Sequence, residues 1–365
     1  MENTGKVAFL QAPREVEFRE YALPEPAPGA LLCEVEQANV CGSELHIWSG
    51  DHPLITDGVL GHEAVCRVAA TGGVVSDSAG MELKEGDLVV PAYFATCGEC
   101  RQCGQGRFGM CDQAYRYWSR HPDDWPHFHG VFATHYYIHP DQFVYKLPDG
   151  VEVGVAASAN CALSQVLHGL RQVQVTADEV VVIQGAGGLG INAVAVVAER
   201  GGQSIVIDGV RDRLDRAKLF GADHVIDITE IDSVAGRVDR VHELTDGAGA
   251  DVAVEVTGVT EAIDEGLRHL RKGGRYLMMG NIIPGKQANF DPGQAVRKSV
   301  SIQTTMRYPP WVLKEALEFI TEHGDSYPFD ELIDATYPLE DAQMALADSL
   351  SRDVGRACFH PHLTR

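Results

Sequence analysis

The pattern of apolar and polar residues changes near residue 162. Before that point, short runs rich in β-branched and apolar residues alternate with turns that contain Gly and Pro. The runs KVAFLQ, LLCEVEQANV, AVCRVAATG and DLVVPAYF have the composition and the bounding turn residues of strands. The first part of the chain is therefore predicted to be an all-β domain with loops.

After residue 162, apolar runs alternate with segments of helical periodicity. EVVVIQ, SIVID, VIDI, ADVAVEV, RYLMM and SVSIQTT are predicted as strands, separated by helices such as RDRLDRAKLFGA and TEAIDEGLRHLRKGG. This alternation is typical of a parallel doubly wound sheet, whose strands are apolar because helices cover both faces. Nearer the end, PPWVLKEALEFITEHG and PLEDAQMALADSLSRD have amphipathic helical patterns, and GRACFHP is predicted as the last strand.

Length and charge narrow the class of protein. A chain of 365 residues fits two domains. A net charge of -22 disfavours nucleic-acid binding, since such a surface repels phosphates. No apolar run approaches the ~20 residues of a membrane span, and MENTGKVAFLQAPREVEF does not have the pattern of a secretory signal. We therefore expect a cytoplasmic protein, with no membrane partner, whose thiols stay reduced.

A cluster of thiols is the first sign of chemistry. Four of the nine cysteines lie within 15 residues, at Cys97, Cys100, Cys103 and Cys111. They could form two disulfides, an iron–sulfur site or a zinc site, and the reducing compartment disfavours disulfides. Gly98, Gly104 and Gly106 supply the backbone freedom that a metal-binding turn needs. Four thiolates close a tetrahedral site, which predicts a structural zinc.

A second group of donors is dispersed along the chain. Cys41, His62 and Cys161 are separately unremarkable, because a lone Cys or His is more often a structural residue than a ligand. Together, two thiolates and an imidazole leave the fourth tetrahedral position of a zinc ion open. That arrangement is typical of catalytic zinc.

A glycine-rich turn predicts a dinucleotide site. Gly185, Gly187 and Gly190, with Gly188 and Leu189 between them, follow the strand VVVIQ and precede a helix.

Asp208 ends the next strand, 23 positions after Gly185, where an acid accepts hydrogen bonds from the adenosine ribose of NAD and repels the 2′-phosphate of NADP. The prediction is therefore NAD. Arg211 is the residue that could instead accommodate a phosphate.

These motifs, in this order, resemble the zinc-dependent medium-chain dehydrogenases of the alcohol and polyol dehydrogenase group. CGSELH resembles the family's CG-[ST]-D-x-H, GHE its second ligand motif, and GAGGLG its cofactor turn, with the four-cysteine segment between them. The resemblance spans nearly the whole chain. It implies a GroES-like catalytic domain over 1–162 with a zinc lobe at about 95–113, a Rossmann domain over 163–305, and a return to the catalytic domain over 306–365.

The resemblance also implies roles for individual residues at the catalytic metal. Cys41 and His62 match the first two zinc ligands, and Cys161 fits the third. The flanks of Cys161, NCALS, depart from the usual CAG pattern. Some polyol-type relatives use a Glu at this position, for which Glu152 is the nearest upstream acid. Glu63 matches an acid that lies beside the metal or binds it transiently.

Two further roles follow from the resemblance. Ser43 and His46 match a hydroxyl and a histidine that relay the proton of the alcohol, and Arg213 matches a basic residue near the adenosine ribose. The implied activity transfers a hydride between an alcohol and NAD, with zinc polarising the alcohol.

The segment between Cys111 and Cys161 carries the information on substrate. It is long and aromatic, and Trp118 and Trp125 could hang over the metal or pack within the lobe. Thr134 stands where relatives carry an acid. We expect a bulky secondary or cyclic alcohol, with a polyol as the alternative. Five histidines of this segment are too irregularly spaced to favour a further metal: His121, His127, His129, His135 and His139.

Two other classes of protein are alternatives to a zinc-dependent dehydrogenase, and each leaves a motif of the chain unused. A zinc-free enoyl or quinone reductase needs neither metal site, and a non-enzymatic zinc protein does not need the dinucleotide turn. The family also implies a homodimer or homotetramer.

Overall fold

The computed structural model describes residues 4–52, 55–118, 120–280 and 284–363. The chain divides into two compact units, one of Met1–Ser164 with Pro309–Arg365 and one of Gln165–Tyr308. Each is described on its own below. The domain boundaries expected from the sequence, after residues 162 and 305, remain a prediction.

Strands and helices are numbered in chain order. The strands are β1 (Thr4–Ala12), β2 (Glu15–Ala22), β3 (Leu31–Asn39), β4 (Gly58–Val59), β5 (Glu63–Thr71), β6 (Val75–Ser76), β7 (Glu82–Leu83), β8 (Leu88–Ala95), β9 (His135–Ile138), β10 (Gln142–Lys146), β11 (Val180–Gln184), β12 (Gln203–Asp208), β13 (His224–Asp227), β14 (Ala250–Glu255), β15 (Leu270–Met278), β16 (Ser301–Thr304), β17 (Ala335–Tyr337) and β18 (Ala357–Phe359). The α-helices are α1 (Gly42–Trp48), α2 (Arg101–Gly104), α3 (Val153–Ala156), α4 (Ser164–Gln172), α5 (Gly188–Glu199), α6 (Arg211–Leu219), α7 (Val234–Leu244), α8 (Glu261–His269), α9 (Pro292–Lys298), α10 (Val312–His323) and α11 (Ala342–Ser351).

The first unit is built mainly on antiparallel strands, and only the pairing of β17 with β18 is parallel among its described strands. Its larger sheet has the order β10-β8-β5-β3-β18-β17, with β9 also paired to β3, and a smaller sheet has the order β2-β1-β4. A core cluster includes Val7, Phe9, Leu32, Phe128 and Tyr137, all buried. The burial of these apolar side chains is the main stabilising contribution to such a unit.

Short helices in this unit were not predicted from its strand-like sequence. Helix α1 follows β3, and a π-helix over Ala159–Leu163 leads into α4. Both are too short for apolar periodicity to reveal them. They matter because each carries candidate site residues.

The second unit is a doubly wound sheet, as the sequence predicts. Its six strands are parallel and have the order β13-β12-β11-β14-β15-β16. In terms of chain order this is the 3-2-1-4-5-6 arrangement of a Rossmann fold. Helix α8 ends at His269, earlier than predicted, and the residues LRKGG begin β15 instead. Gly273 has φ +72°, a left-handed conformation that glycine adopts readily and that a helix excludes.

No helix in the described ranges has both the length and the apolar character that crossing a bilayer requires.

Candidate active site and metal centres

Four donor side chains from three separate segments meet in the first unit. Cys41, His62, Glu63 and Cys161 each bring one donor atom within 4.8 Å of the others. The two sulfur atoms lie 3.9 Å apart, and the His62 Nε2 atom lies 3.3 Å from the Cys161 sulfur. Cys41 caps the N-terminus of α1, His62 and Glu63 stand at the start of β5, and Cys161 lies in the π-helix. π-Helical turns are frequent at functional sites.

Glu44 orients two of these donors. One of its carboxylate oxygens accepts a hydrogen bond from the Cys41 backbone N–H at 3.1 Å, which completes a capping box at α1. The other oxygen pairs with Nδ1 of His62, so Nδ1 is the nitrogen that donates to Glu44 and Nε2 faces the thiols. Glu44 is fully buried, and a buried carboxylate needs such partners.

Electrostatics at His62 favour a cation. Burial lowers the pKa of its imidazole, but the Glu44 carboxylate and the Cys41 thiol outweigh burial, so the pKa lies well above the usual range. Positive charge on this ring is therefore stabilised from behind by Glu44. A metal ion on Nε2 would be stabilised in the same way.

Glu63 adds a fully buried acid next to His62. One of its oxygens pairs with the guanidinium of Arg356, and within the described structure the other oxygen has no hydrogen-bond partner. Burial raises the pKa of Glu63 to about 8, against the opposing effect of Arg356. A buried carboxylate oxygen facing two thiols without a partner is a position that a cation would satisfy.

This donor set fits a zinc ion. The hydrogen bond from the Cys161 thiol holds the pKa of Cys41 well below its usual value, so Cys41 has thiolate character. The same hydrogen bond, together with burial, raises the pKa of Cys161, which remains the thiol that donates to Cys41. Zinc binds thiolate sulfur and neutral imidazole nitrogen, and three protein ligands leave a position for water or substrate. Glu152, the alternative third ligand, instead occupies the N-cap position of α3 and is not among the grouped donors.

The proposed proton relay lies on α1. The Ser43 side chain hydrogen-bonds the Cys41 thiol and lowers its pKa, although less than Cys161 and His62 do. His46, one turn further along α1, is half-buried and lies near His52. Burial, and then the charge on His46, lower the pKa of His52. The two imidazoles thus lie within electrostatic reach of each other.

Aromatic rings line the other side of His62. The ring centres of Tyr93 and Trp118 lie 4.7 and 5.2 Å from that of His62. Tyr115 packs edge-on against Trp118 at 5.1 Å. Trp118 is buried, and its indole N–H donates to the Gly61 carbonyl at 3.1 Å. By contrast, Trp125 is 55% exposed, so only one of the two tryptophans of this segment lies at the site.

The four-cysteine lobe forms a compact local cluster. The sulfur atoms of Cys97 and Cys111 lie 3.5 Å apart, and those of Cys97 and Cys103 lie 4.0 Å apart. Four thiolates at ~2.3 Å from one zinc ion would be separated by about 3.8 Å, so the cluster has the size of such a site. The donor set of four thiolates therefore fits zinc.

Backbone N–H groups stabilise thiolates in this lobe. Those of Cys100 and Cys103 point at the sulfurs of Cys97 and Cys100, at 3.3 and 3.4 Å. Backbone N–H groups of Asp112 and Cys103 lower the pKa of Cys100 to about 6. Gly98 and Gly106 have φ of +76° and +73° and supply the turns, whereas Gly104 belongs to helix α2 and is not needed for this purpose.

The glycine-rich turn of the second unit has the geometry that its motif requires. Gly185 has φ +105°, and a Cβ on Gly190 would lie 1.9 Å from the Gly185 carbonyl oxygen. A Cβ on Gly187 would meet nothing within 4 Å, which leaves space above the start of α5. Gly188 and Leu189 form the first turn of that helix. Free N–H groups and the helix dipole make this position suitable for a pyrophosphate.

Asp208 anchors the turn as well as ending β12. Its two carboxylate oxygens accept hydrogen bonds from the backbone N–H groups of Ala186 at 2.7 Å and Val210 at 2.9 Å. A carboxylate retains further acceptor sites when each oxygen has one partner. The acid can therefore hold the loops and still accept a ribose hydroxyl.

The charge of Arg211 is offset by acids around it. Its guanidinium contacts Glu230 at 3.0 Å, and Asp215 and Asp227 at 3.7 Å. Arg213 lies on the same helix and is half-buried. Of the two arginines, the one that could accommodate a phosphate is thus surrounded by negative charge.

The histidines of the long segment have individual partners. His129 Nε2 and His127 Nδ1 bond to the backbone carbonyls of Asp124 and Pro122, at 2.9 and 2.8 Å. His139 stacks on Tyr117, with 3.6 Å between ring centres. The side chains of His127, His129 and His139 therefore pack and form hydrogen bonds within this segment. Thr134 likewise accepts a hydrogen bond from the Lys6 backbone N–H at 2.9 Å.

Fold, donor sets and cofactor turn define a zinc-dependent dehydrogenase, and comparison with known proteins gives the same result. A zinc-binding dehydrogenase family model matches residues 188–322, and a model of the alcohol dehydrogenase GroES-like domain matches residues 27–149. The chain belongs to the zinc-dependent medium-chain dehydrogenase family. The predicted fold class and family are confirmed. The protein is an oxidoreductase acting on CH–OH groups, with zinc and NAD as cofactors.

Individual relatives cover nearly the whole chain. A 5-exo-hydroxycamphor dehydrogenase of Pseudomonas putida is 31% identical, with 94% of each chain covered. A sorbitol dehydrogenase of Halalkalibacterium halodurans is 31% identical over 82% of this chain and 83% of its own. An alcohol dehydrogenase structure from Thermotoga maritima is 29% identical, with a TM-score of 0.92, and the match covers 98% of this chain and 100% of the other.

Three residues near the donors were missed by sequence reasoning. Glu44 stands inside the CGSELH motif, at the Asp of the family pattern, so a signal was present. Asn160 stands next to Cys161 in the NCALS stretch, but no motif names a role for its amide. Arg356 is far from any motif, and only the folded chain brings it to the site.

Proposed function

We propose that Cys41, His62 and Cys161 hold a catalytic zinc ion with one open position. On this site the protein oxidises bulky secondary alcohols, including cyclic ones, with NAD, or reduces the corresponding ketones. The observation that carries the proposal is the meeting of two thiols and an imidazole at a buried place lined by aromatic rings.

The chain's own residues divide the work around these cofactors. A zinc ion held by Cys41, His62 and Cys161 would supply a Lewis acid that polarises the alcohol oxygen, and bound NAD would supply the hydride acceptor. Glu44 holds His62 in the tautomer that binds metal. Glu63 and Arg356 add a buried pair of opposite charges beside the site. Ser43 hydrogen-bonds the oxygen of the alcohol, and His46 takes the proton onward, because an imidazole can accept a proton at one nitrogen and release one from the other.

Cofactor choice rests on the second unit. Asp208 accepts the hydrogen bonds of the adenosine ribose, and its charge repels a 2′-phosphate. The acids around Arg211 weaken the cation that a 2′-phosphate would need. Gly185, Gly187, Gly188, Leu189 and Gly190 receive the pyrophosphate, and Arg213 lies beside the ribose. Both acidic features favour NAD.

The preference for bulky substrates rests on Trp118, Tyr93 and Tyr115. Tyr93 and Trp118 contact the His62 ring, and Tyr115 extends this aromatic surface by packing against Trp118. The indole N–H of Trp118 is already bonded to the Gly61 carbonyl. Rings of this kind bind a cyclic hydrocarbon skeleton by burying it. The name of the hydroxycamphor dehydrogenase relative, which refers to a cyclic alcohol, agrees with this choice.

A polyol is the second candidate substrate. It is favoured by the sorbitol dehydrogenase relative, which is as similar as the hydroxycamphor enzyme, and by a probable D-xylulose reductase A of Emericella nidulans at 29% identity. Polyol recognition requires hydrogen-bond partners for several hydroxyls, and their loss is costly when buried. Glu63 is the nearest acid that could supply one.

Cys97, Cys100, Cys103 and Cys111 are proposed to bind a structural zinc that folds the lobe. The nine cysteines are all free thiols, which suits a reducing compartment and hence the cytoplasm.

We further propose a homodimer or homotetramer. Strand β16 lies at the edge of its sheet, and Ile302, Val296 and Met306 at or near it are exposed. An uncharged edge of this kind pairs readily with another strand. Size measurement by light scattering tests this assembly, and a monomeric protein would contradict it.

A substrate panel with a matched pair of variants tests the proposed activity. Initial rates of NAD reduction are measured with cyclic secondary, benzylic and short primary alcohols and with sorbitol. We expect the highest kcat/KM for cyclic secondary alcohols and about a tenfold loss in Trp118→Ala, because a buried aromatic surface is removed. Trp125→Ala, an exposed residue of the same segment, is the control. Highest kcat/KM for sorbitol, unaffected by Trp118→Ala, would favour the polyol candidate.

A further inference from the structure

The side-chain amide of Asn160 joins segments that carry different donors. Asn160 lies next to Cys161 in the π-helix and is fully buried. Its Nδ2 group donates one hydrogen bond to the His62 carbonyl and another to the Pro91 carbonyl, both at 2.8 Å. An amide nitrogen has two protons, so this donor is fully used.

These two bonds fill a gap between neighbouring strands. Strands β5 and β8 pair only at Cys66 with Val89 and at Arg67 with Leu88. Towards His62 the pairing stops, and Pro91 has no backbone N–H with which to continue it. The Asn160 amide enters at this point and bonds to a carbonyl on each side. Each of these carbonyls thereby receives a hydrogen bond from a buried donor.

The consequence falls on the geometry of the donors. The His62 backbone is fixed by Asn160, and the Cys161 thiol is carried by the residue next to Asn160. One hydrogen bond therefore links the His62 backbone directly to the neighbour of Cys161, and the His62 Nε2 atom and the Cys161 sulfur lie 3.3 Å apart. Metal sites are sensitive to such support, because ligands must be held near the geometry that the ion requires.

We propose that Asn160 is a positioning residue for the catalytic metal, setting His62 and Cys161 at the distance that zinc requires. This inference rests on the proposed zinc site at Cys41, His62 and Cys161. It assigns Asn160 no contact with substrate, cofactor or metal. Its effect passes through the backbone of His62 and the π-helix.

The test compares Asn160→Leu with Gln142→Leu. Gln142 is another buried amide of the same unit, and it bonds to the Ala92 carbonyl at 3.4 Å and the Tyr136 hydroxyl at 3.0 Å. Both variants lose buried hydrogen bonds near β8, so both should lose stability to a similar extent. Only Asn160 touches a segment that carries a catalytic donor. Asn160→Ser, which keeps one donor group, replaces the leucine variant if that variant does not fold.

Two readouts separate positioning from stability. Zinc affinity is measured by competition with a chromogenic chelator, with the four-cysteine site as the internal reference. Cobalt is then placed at the catalytic site and its visible spectrum recorded. We expect about 10-fold to 100-fold weaker binding at the catalytic site in Asn160→Leu, a changed cobalt spectrum, and unchanged binding at the four-cysteine site. Gln142→Leu should bind zinc at both sites, and cobalt at the catalytic site, as the unsubstituted protein does.

The outcomes also distinguish this inference from the proposed function. Catalytic-site affinity and cobalt spectrum that match those of Gln142→Leu would overturn the role of Asn160 while leaving the zinc site intact. An unsubstituted protein that binds only one zinc ion would instead contradict the proposed function. Weaker zinc binding at the catalytic site in Asn160→Leu, but not in Gln142→Leu, supports the positioning role.

Discussion

The two donor clusters of the first unit are built in opposite ways. The four-cysteine cluster comes from one segment of 15 residues, and backbone N–H groups surround its sulfurs. The catalytic cluster brings Cys41 and Cys161 together across 120 positions, and charged or amide side chains support it: Glu44, Arg356 and Asn160. Local geometry suffices for a site that only folds a lobe. A site with an open position needs long-range support to keep its shape.

The largest expected effect comes from exchanging one ligand in each cluster. Cys161→Ser should retain the fold and lose about 10³-fold in kcat, because the polarising ion contributes several kcal/mol to the transition state. Cys103→Ser should leave the catalytic donors in place but lower the melting temperature, since a structural zinc contributes folding energy. Steady-state kinetics, calorimetry and zinc content per chain are measured together.

The contrast between the two clusters would be contradicted if Cys161→Ser and Cys103→Ser had the same effects. Equal loss of stability in both would show that the catalytic ion also holds the fold. Full activity in Cys161→Ser would remove this thiol from the metal site, and Glu152→Gln is then the variant to examine for the alternative third ligand.

The next effect concerns the support of His62. Glu44→Gln retains an acceptor for the Cys41 backbone N–H but removes the negative charge behind the imidazole. We expect catalytic zinc affinity and kcat to fall about 10-fold to 100-fold, as for other partners of metal-binding histidines. Chelator competition and kinetics measure both quantities. Glu322→Gln, an exposed acid on α10, serves as the control. An unchanged zinc affinity in Glu44→Gln would mean that Glu44 only caps α1.

The contrast between the clusters also marks what sequence can predict. The spacing of Cys97, Cys100, Cys103 and Cys111 is enough to predict a metal site, because neighbours in sequence are neighbours in space. The glycine turn and Asp208 are predictable for the same reason, since strand, turn and helix follow one another directly. The parallel doubly wound sheet was also predictable from the alternation of strands and helices.

Elsewhere the sequence carried too little information. Resemblance to a family, and not spacing, grouped Cys41, His62 and Cys161. Arg356 reaches Glu63 across 293 positions, and no local pattern announces that contact. Helix α1 and the π-helix escaped prediction because each is shorter than the window in which periodicity can be detected.

A smaller effect is expected at the locally built cofactor turn. Asp208→Ser should lower kcat/KM for NAD about tenfold, through loss of charged hydrogen bonds to ribose and loops, and should raise the relative use of NADP. Adding Glu230→Gln should raise NADP use further, by freeing Arg211. The control is Asp212→Ser, which changes an exposed acid on α6, the helix that carries Arg211. A preference for NADP in the unsubstituted protein would refute the role given to Asp208.

The smallest expected effect is on the stability of the folded protein in acid. It involves histidines of the segment between Cys111, in the four-cysteine cluster, and Cys161, in the catalytic cluster. Burial lowers the pKa of His129, His135 and His139 to about 4. These side chains stay neutral in the folded state at pH 5.5, whereas the unfolded chain, with a pKa near 6.5, takes up protons. The free energy of unfolding should therefore fall as pH drops from about 7 towards 4.

The matched variant for this prediction is His135→Gln. At pH 5.5 His129 and His135 should each cost about 1.4 kcal/mol relative to pH 7.5, and the more exposed His139 should cost less because solvent screens it. The free energy of unfolding is measured with urea at pH 7.5 and 5.5, in saturating zinc. Its drop between the two pH values should be about 1.4 kcal/mol smaller in His135→Gln than in the unsubstituted protein. An identical difference between the two pH values in variant and unsubstituted protein would count against a buried neutral His135.

The most direct test of the central claim is selective removal of the catalytic metal. A chelator is applied until one zinc ion per chain remains, the fold is checked by circular dichroism, and the rate of NAD reduction by a cyclic secondary alcohol is measured. The account predicts that turnover is lost and returns with one equivalent of zinc. Undiminished turnover by the folded one-zinc protein would contradict it.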